Sequence, residues 1–167
     1  MHLESLDATP KRGLFAYAFI PVPVGCYSIL LARLQGEQAG VNSGFAETRE
    51  QLYQKVLKSH GNAQLLSQLV VVDALLNNKE AAITEAKRAI EILPISKDAV
   101  DGPSIVVNSA VVYAWTNEAH LAFETLYPLT RTPCAIFYGQ LKRDSYWDPL
   151  RKDPRYDKLL AELAPKD

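Results

Sequence analysis

Hydrophobic positions along the chain recur at three- and four-residue spacing, and strand-type alternation is nearly absent. The first amphipathic segment runs from Val24 to Gln35, with Tyr27, Leu30, Leu31 and Leu34 on one stripe and Gly36 as its left-handed stop. A second runs from Ala39 to Ser59 on Val41, Phe45, Thr48, Leu52, Tyr53 and Val56, with Gly44 as a weak point or a close-contact site. His60-Gly61-Asn62 breaks the pattern. The third segment, Ala63 to Leu76, is apolar almost all round apart from Asp73, so it belongs in the middle of the array.

Asn77-Asn78 turn the chain into a fourth helix, Lys79 to Leu93. Its Ala82, Ile83, Ala86, Ala89, Ile90 and Leu93 point inward, while Lys79, Glu80, Glu85, Lys87, Arg88 and Glu91 face water. Pro94 and a connection over Ile95–Gly102 lead to a fifth helix, Pro103 to Trp115, packed through Val106, Ala110, Tyr113 and Ala114. Asn117-Glu118 turn into a sixth, Ala119 to Leu129, packed through Leu121, Ala122, Thr125 and Leu126. The run Cys134 to Tyr138 reads as a short helix or turn. Asp148-Pro149 and Asp153-Pro154 each place an acidic cap before a proline. The last helix, Pro154 to Leu163, buries Tyr156, Leu159, Leu160 and Leu163.

Two of the helix pairs repeat. Asn117 follows Asn77, and Ala122 follows Ala82, each by 40 residues. The unit Leu66…Leu69-Val70…Asn77…Ala82…Ala86…Ala89…Pro94 resembles the tetratricopeptide repeat (TPR): large apolar residues in its first helix, a left-handed turn, small alanines in its second helix and a closing proline. Ser109-Ala110…Tyr113…Asn117…Ala122…Leu126 is the second copy. The first pair departs from the pattern, with Gly36, Gly40 and Gly44 in place of alanines. Asp73 likewise stands where the repeat favours tyrosine.

Ala86–Ala99 with Asp101-Gly102-Pro103, and the closing Tyr146–Tyr156, are similar to degenerate TPR-like regions at the C-terminal end of bacterial signalling proteins. There the N-terminal neighbour is a Ser/Thr kinase, a nucleotide cyclase or a winged-helix regulator. The resemblance implies an all-α fold: antiparallel helix pairs at 24–59, 63–93 and 103–129, stacked as a short right-handed α-α superhelix. An extended lead-in over 1–23, a C-terminal cap over 133–163 and a tail over 164–167 complete the chain.

Charge narrows the partners. Lys and Arg number 18 against 19 Asp and Glu, for a net charge of −1, so no long-range field draws in nucleic acid or an anionic membrane. With 48% apolar and 9% aromatic residues the chain has material for a core and does not read as disordered. Lys11-Arg12 ahead of Leu14–Ile20 look like an export or membrane segment. Pro21, Pro23 and the acidic Glu4 and Asp7 weigh against that, and the expected reading is a lead-in packed on the first helix. Cys26 and Cys134 are too far apart for a metal knuckle and read as buried thiols of a reducing, cytoplasmic compartment.

Catalytic material is thin. His2, His60 and His120 are scattered, and no metal, nucleophile or phosphate-cradling motif is present, so neither an enzyme nor a cofactor or metal site is expected. His120 with Glu118 and Glu124 is the nearest approach to a ligand set. Asp73 must find a partner or face a groove, since a carboxylate in so apolar a helix is costly unpaired; Arg33 is the expected partner. In the TPR resemblance the first helices of each pair line a concave groove that accepts a peptide or a helix. Its candidates here are Arg33, Gln64, Ser67, Gln68, Val71, Asp73, Asn108, Val111 and Trp115. They do not supply the cations of a carboxylate clamp. Trp147–Tyr156 interleaves aromatics with Arg151, Lys152 and Arg155, but Asp148 and Asp153 cancel that charge and favour a capping role over base stacking.

The expected function is a non-catalytic scaffold that binds a protein or peptide partner in bacterial signalling. The alternatives are a regulatory module of a larger kinase, cyclase or transcription regulator, and a small-molecule-binding helical domain with an apolar pocket near Asp73.

Overall fold

The computed structural model describes residues 22–23, 26–34, 43–59, 61–133 and 135–165, and every regular element among them is a helix. In chain order these are α1 (Tyr27–Leu34), α2 (Ser43–Lys58), α3 (Ala63–Leu75), α4 (Lys79–Ile92), α5 (Gly102–Trp115), α6 (Ala119–Leu129), α7 (Tyr138–Arg143), a 3-10 helix (Ser145–Leu150) and α8 (Pro154–Leu163). The lead-in over 1–21, the expected stop at Gly36, His60, Cys134 and the end of the tail lie outside the described residues. Helices α3 to α6 and α8 occupy the spans predicted from hydrophobic spacing to within one residue at each end.

Local chemistry sets those ends. Gly61 takes φ 96°, and the Asn62 side chain caps α3 by accepting from the Leu65 N–H at 3.0 Å. The connection after Pro94 is wound around Asp98, whose Oδ1 accepts from the N–H groups of Val100 and Asp101 at 2.8 and 2.9 Å. Those two donors hold the Asp98 carboxyl below its ordinary range. Gly102 then opens α5 directly against the Ile95 backbone; an added Cβ would fall 2.9 Å from Ile95 Cα. Asp153 caps α8 as its sequence suggests, accepting from the Arg155 N–H at 2.9 Å. Asp148 does not cap. It lies inside the 3-10 helix and pairs with Arg151 at 2.6 Å, because the chain enters that helix four residues earlier, at Asp144.

Helices α3 and α4 form one hairpin, and α5 and α6 form another. Helix α5 packs on both α3 and α4, α2 covers α3, and α6 carries α8. Both α3 and α5 are buried almost all round, although only α3 was expected to be central. The four residues expected to carry the packing of α5 understate it, since Ile105, Val111, Val112 and Trp115 are buried too. The C-terminal segment packs on α5 and α6 and buries Leu141, Trp147, Leu150, Tyr156 and Leu159. Its Tyr156 hydroxyl donates to the Leu141 carbonyl, and Tyr127 Oη donates to the Arg155 carbonyl at 3.1 Å.

The two hairpins turn in the same way. Asn77 and Asn117 have φ 61° and 62°, the left-handed conformation that Gly and Asn tolerate best. After each, the next N–H reaches back to close the helix: Asn78 to the Asp73 carbonyl and Glu118 to the Tyr113 carbonyl, both at 2.8 Å. Four residues after each of those donors, Ala82 and Ala122 are wholly buried at matched positions. Substituting Asn77 or Asn117 by alanine is expected to lower stability by about 1 kcal/mol at either site, while glycine should be nearly neutral. Urea denaturation of the four single variants checks this, and a large cost at only one turn would break the equivalence.

Helix α1 departs from the expected stripe. Cys26, Ile29 and Leu30 are buried, whereas Tyr27 and Leu31 are 45% and 57% exposed. Leucines surround this short helix, so spacing alone does not select its inner face; contact with α3 does. In α2, Phe45 and Leu52 are buried, and Thr48, Tyr53 and Val56 are half-buried beside them, as the spacing suggests.

Candidate functional site

The nine candidate groove residues separate into five settings. Val71 and Val111 are fully packed in the interior of α3 and α5. Ser67 and Asn108 meet between those helices, where Asn108 Nδ2 donates to Ser67 Oγ at 3.1 Å and satisfies a polar pair out of reach of solvent. Gln64 is exposed at the start of α3 and donates to Asp101 Oδ2 at 3.3 Å, and Gln68 is half-buried one turn on. The same face thus carries polar groups at one end and an aromatic cluster at the other.

That cluster is built on Trp115, the last residue of α5. Its Nε1 donates to the Tyr146 carbonyl at 3.1 Å, and the two rings lie 6.0 Å apart at 50°. Arg33 reaches it from α1. Its guanidinium lies 4.9 Å over the indole, and Nη2 donates to the Trp115 carbonyl at 2.6 Å. A cation there answers both the ring quadrupole and the negative C-terminal end of α5. Burial lowers the Arg33 guanidinium from its ordinary value, which leaves it charged at neutral pH. Burial also raises the Tyr146 hydroxyl, with the Asp144 carboxylate adding to the shift.

Arg33 is therefore not the partner of Asp73. Arg49 of α2 is: its Nε and Nη2 donate to Asp73 Oδ1 and Oδ2 at 2.6 and 3.1 Å. Asn78 Nδ2 completes the set, donating to Oδ1 at 2.7 Å. The correction is one of register. Arg33 and Arg49 both precede α3, but α2 packs along the length of α3 and brings Arg49 level with Asp73. The hydrogen bond to Asp73 raises the Arg49 guanidinium further above its usual value. With both carboxylate oxygens engaged inside the chain, Asp73 works as a fastener between α2, α3 and the following turn.

Glu85 was expected to face water, yet its Oε2 is buried and without a hydrogen-bond partner among the described residues. Burial, followed by repulsion from Asp73, raises its carboxyl above the ordinary glutamate range, while Arg88 and Arg49 pull the other way. A carboxyl raised in the folded state binds protons more readily folded than unfolded. Its penalty is therefore present at neutral pH and relieved as pH falls toward the unfolded value near 4.5. Asp153 behaves oppositely: Arg155 holds its carboxyl at about 2, so its contribution is present above 3.8 and lost as pH falls toward 2. Glu85→Gln is expected to raise Tm at pH 7 by roughly 3 °C, with the gain shrinking at pH 5. Thermal melts at the two pH values decide it, and an equal gain at both would remove the titration argument.

His120 pairs with Glu124 at 3.2 Å on an exposed face, while Glu118 is drawn to Lys79 at 2.7 Å, so the three candidate ligands do not converge. Among the described residues, no group of three His, Cys, Asp or Glu side chains is placed to hold a metal ion. Burial raises the Cys26 thiol. No helix of the described chain is long and apolar enough to cross a membrane.

A cleft missed by hydrophobic spacing lies where α6 meets the segment before α7. It has a volume of about 410 Å³ and is lined by Thr130, Arg131, Pro133, Ile136, Phe137 and Leu163 among others. Phe137 is 46% exposed there. Arg151 lies nearer α8, bonded to the Lys142 and Asp144 carbonyls at 3.0 and 3.1 Å, and Arg155 is held by Asp153. Both arginines of the Trp147–Tyr156 segment are thus engaged in holding the C-terminal helices. No family model, no curated protein and no solved structure matches the chain.

Proposed function

We propose that the chain is a non-catalytic, TPR-like scaffold that presents the face of α3 and α5 to a peptide or helix of a protein partner. On this reading the hairpins stack as a short right-handed superhelix closed by the C-terminal segment, and the protein works in bacterial cytoplasmic signalling.

The observation that carries the proposal is the duplicated hairpin. Two turns with Asn at φ 61° and 62°, two matched back-bonds of 2.8 Å and two buried alanines recur 40 residues apart. Stacked hairpins of this kind bury one side of each helix pair against its neighbour and leave the aligned first helices to line a surface. On that surface Gln64 is exposed and Gln68 half-buried, while Trp115 is buried at its far end beneath Arg33. Its mixed lining suits a protein segment better than a charged metabolite.

Affinity capture with the full chain tests the proposal. Gln64→Ala, Gln68→Ala and Trp115→Phe should weaken a captured partner, with the tryptophan change costing about fivefold or more. If all three variants retain each partner as the parent does, binding lies on another face.

A further inference from the structure

We propose that α1 is an internal ligand of the α3/α5 face, and that the partner received there is a short helix of the same chemistry. That chemistry is an apolar edge at i, i+3 and i+4 followed by an arginine on the last turn. The inference rests on the scaffold reading above and specifies what the scaffold takes.

Helix α1 does not behave as half of a hairpin. Three residues join α3 to α4 and α5 to α6, and each of those pairs packs along its length. Eight residues of sequence, 35–42, separate α1 from α2, and among the described residues α1 packs chiefly on α3. Its one-sided burial is that of a docked helix: Cys26, Ile29 and Leu30 lie inward, while Tyr27 and Leu31 are open.

Arg33 supplies the specificity. It spans 82 residues of sequence to reach Trp115, lying 4.9 Å over the ring and bonding the terminal carbonyl of α5 at 2.6 Å. Two features of one surface, an aromatic face and a helix C-terminus, are read by one guanidinium. Lysine cannot reproduce that planar double contact. A helix of eight residues is also unstable alone in water, so α1 owes its order to this face and opens more readily than α3. A competing helix therefore binds with an apparent affinity reduced by the fraction of time α1 is seated.

The probe is a fluorescent peptide carrying residues 24–36 with Cys26→Ser, titrated into the full chain by anisotropy. The Arg33→Ala chain is expected to bind it about tenfold more tightly than the parent chain, because its own α1 competes less well. The same peptide with Arg33→Ala should bind at least about tenfold more weakly to either chain. Native-state hydrogen exchange on the parent chain supplies a readout that needs no variant. Amides of α1 should exchange through openings about a hundredfold more frequent than those of α3.

Equal peptide binding by the two chains, or no binding by either, overturns the proposal. So does exchange of α1 and α3 through one shared opening, which would make α1 part of the core. Any of these results leaves the scaffold reading standing on its capture experiment, since the probe is the chain's own segment.

Discussion

Replacing Asp73 with alanine is expected to destabilise the chain by about 3 kcal/mol, read from the urea midpoint at constant slope. The side chain is 1% exposed and receives two bonds from Arg49 and one from Asn78. Removing it strands a guanidinium and an amide that were arranged around a carboxylate. Breaking a buried pair from one side costs about 3–5 kcal/mol, and Arg49, with 26% of its side chain exposed, recovers some hydration and places the loss at the lower end. Replacing both partners is a different experiment. Arg49→Met with Asp73→Leu leaves no uncompensated charge and should recover most of the loss. A double variant no better than Asp73→Ala would show that the pair contributes packing that apolar side chains cannot supply.

That pair also marks the boundary of what the sequence makes legible. The need for a partner is visible, because Leu69–Leu76 surrounds Asp73 with apolar residues. The choice of Arg49 over Arg33 is not, since it depends on how far α2 slides along α3. Glu85 illustrates the same limit. It sits on the polar stripe of α4, and tertiary burial, followed by repulsion from Asp73 on α3, turns a solvated carboxylate into an orphaned one.

Helix spans fare better because their signals are local. Asn62, Asn77, Asn117 and Asp153 each fix a turn or cap within a few residues, and each stands where expected. The burial of α5 also had a sequence signal. Gly102 to Trp115 contains no charged residue, which marks a helix covered on every side as clearly as the apolar run in α3. For the candidate site the sequence supplies Trp115 and Arg33 as separate residues. Their contact across 82 positions is a fact of tertiary packing.

Enlarging Ala86 to leucine is expected to cost about 3 kcal/mol, although the matched position 40 residues on, Leu126, already holds a leucine. The difference lies in what covers each helix. Ala86 is wholly buried where α4 meets α5, and Ser109 Oγ lies 3.5 Å from its carbonyl, so the two backbones approach closely there. A leucine would have to push α5 outward, and α5 is pinned on its other sides by α3, α6 and the 3-10 helix. Leu126 lies on α6, which packs on α8 rather than on another hairpin, and its larger side chain is likewise wholly buried. The reverse change should therefore be equally harmful for the opposite reason: Leu126→Ala opens a cavity and costs about 3 kcal/mol. Urea melts of the two variants check both signs. If Ala86→Leu is tolerated, α4 and α5 are not in close contact, and the small residues of α4 do not set the spacing of the two hairpins.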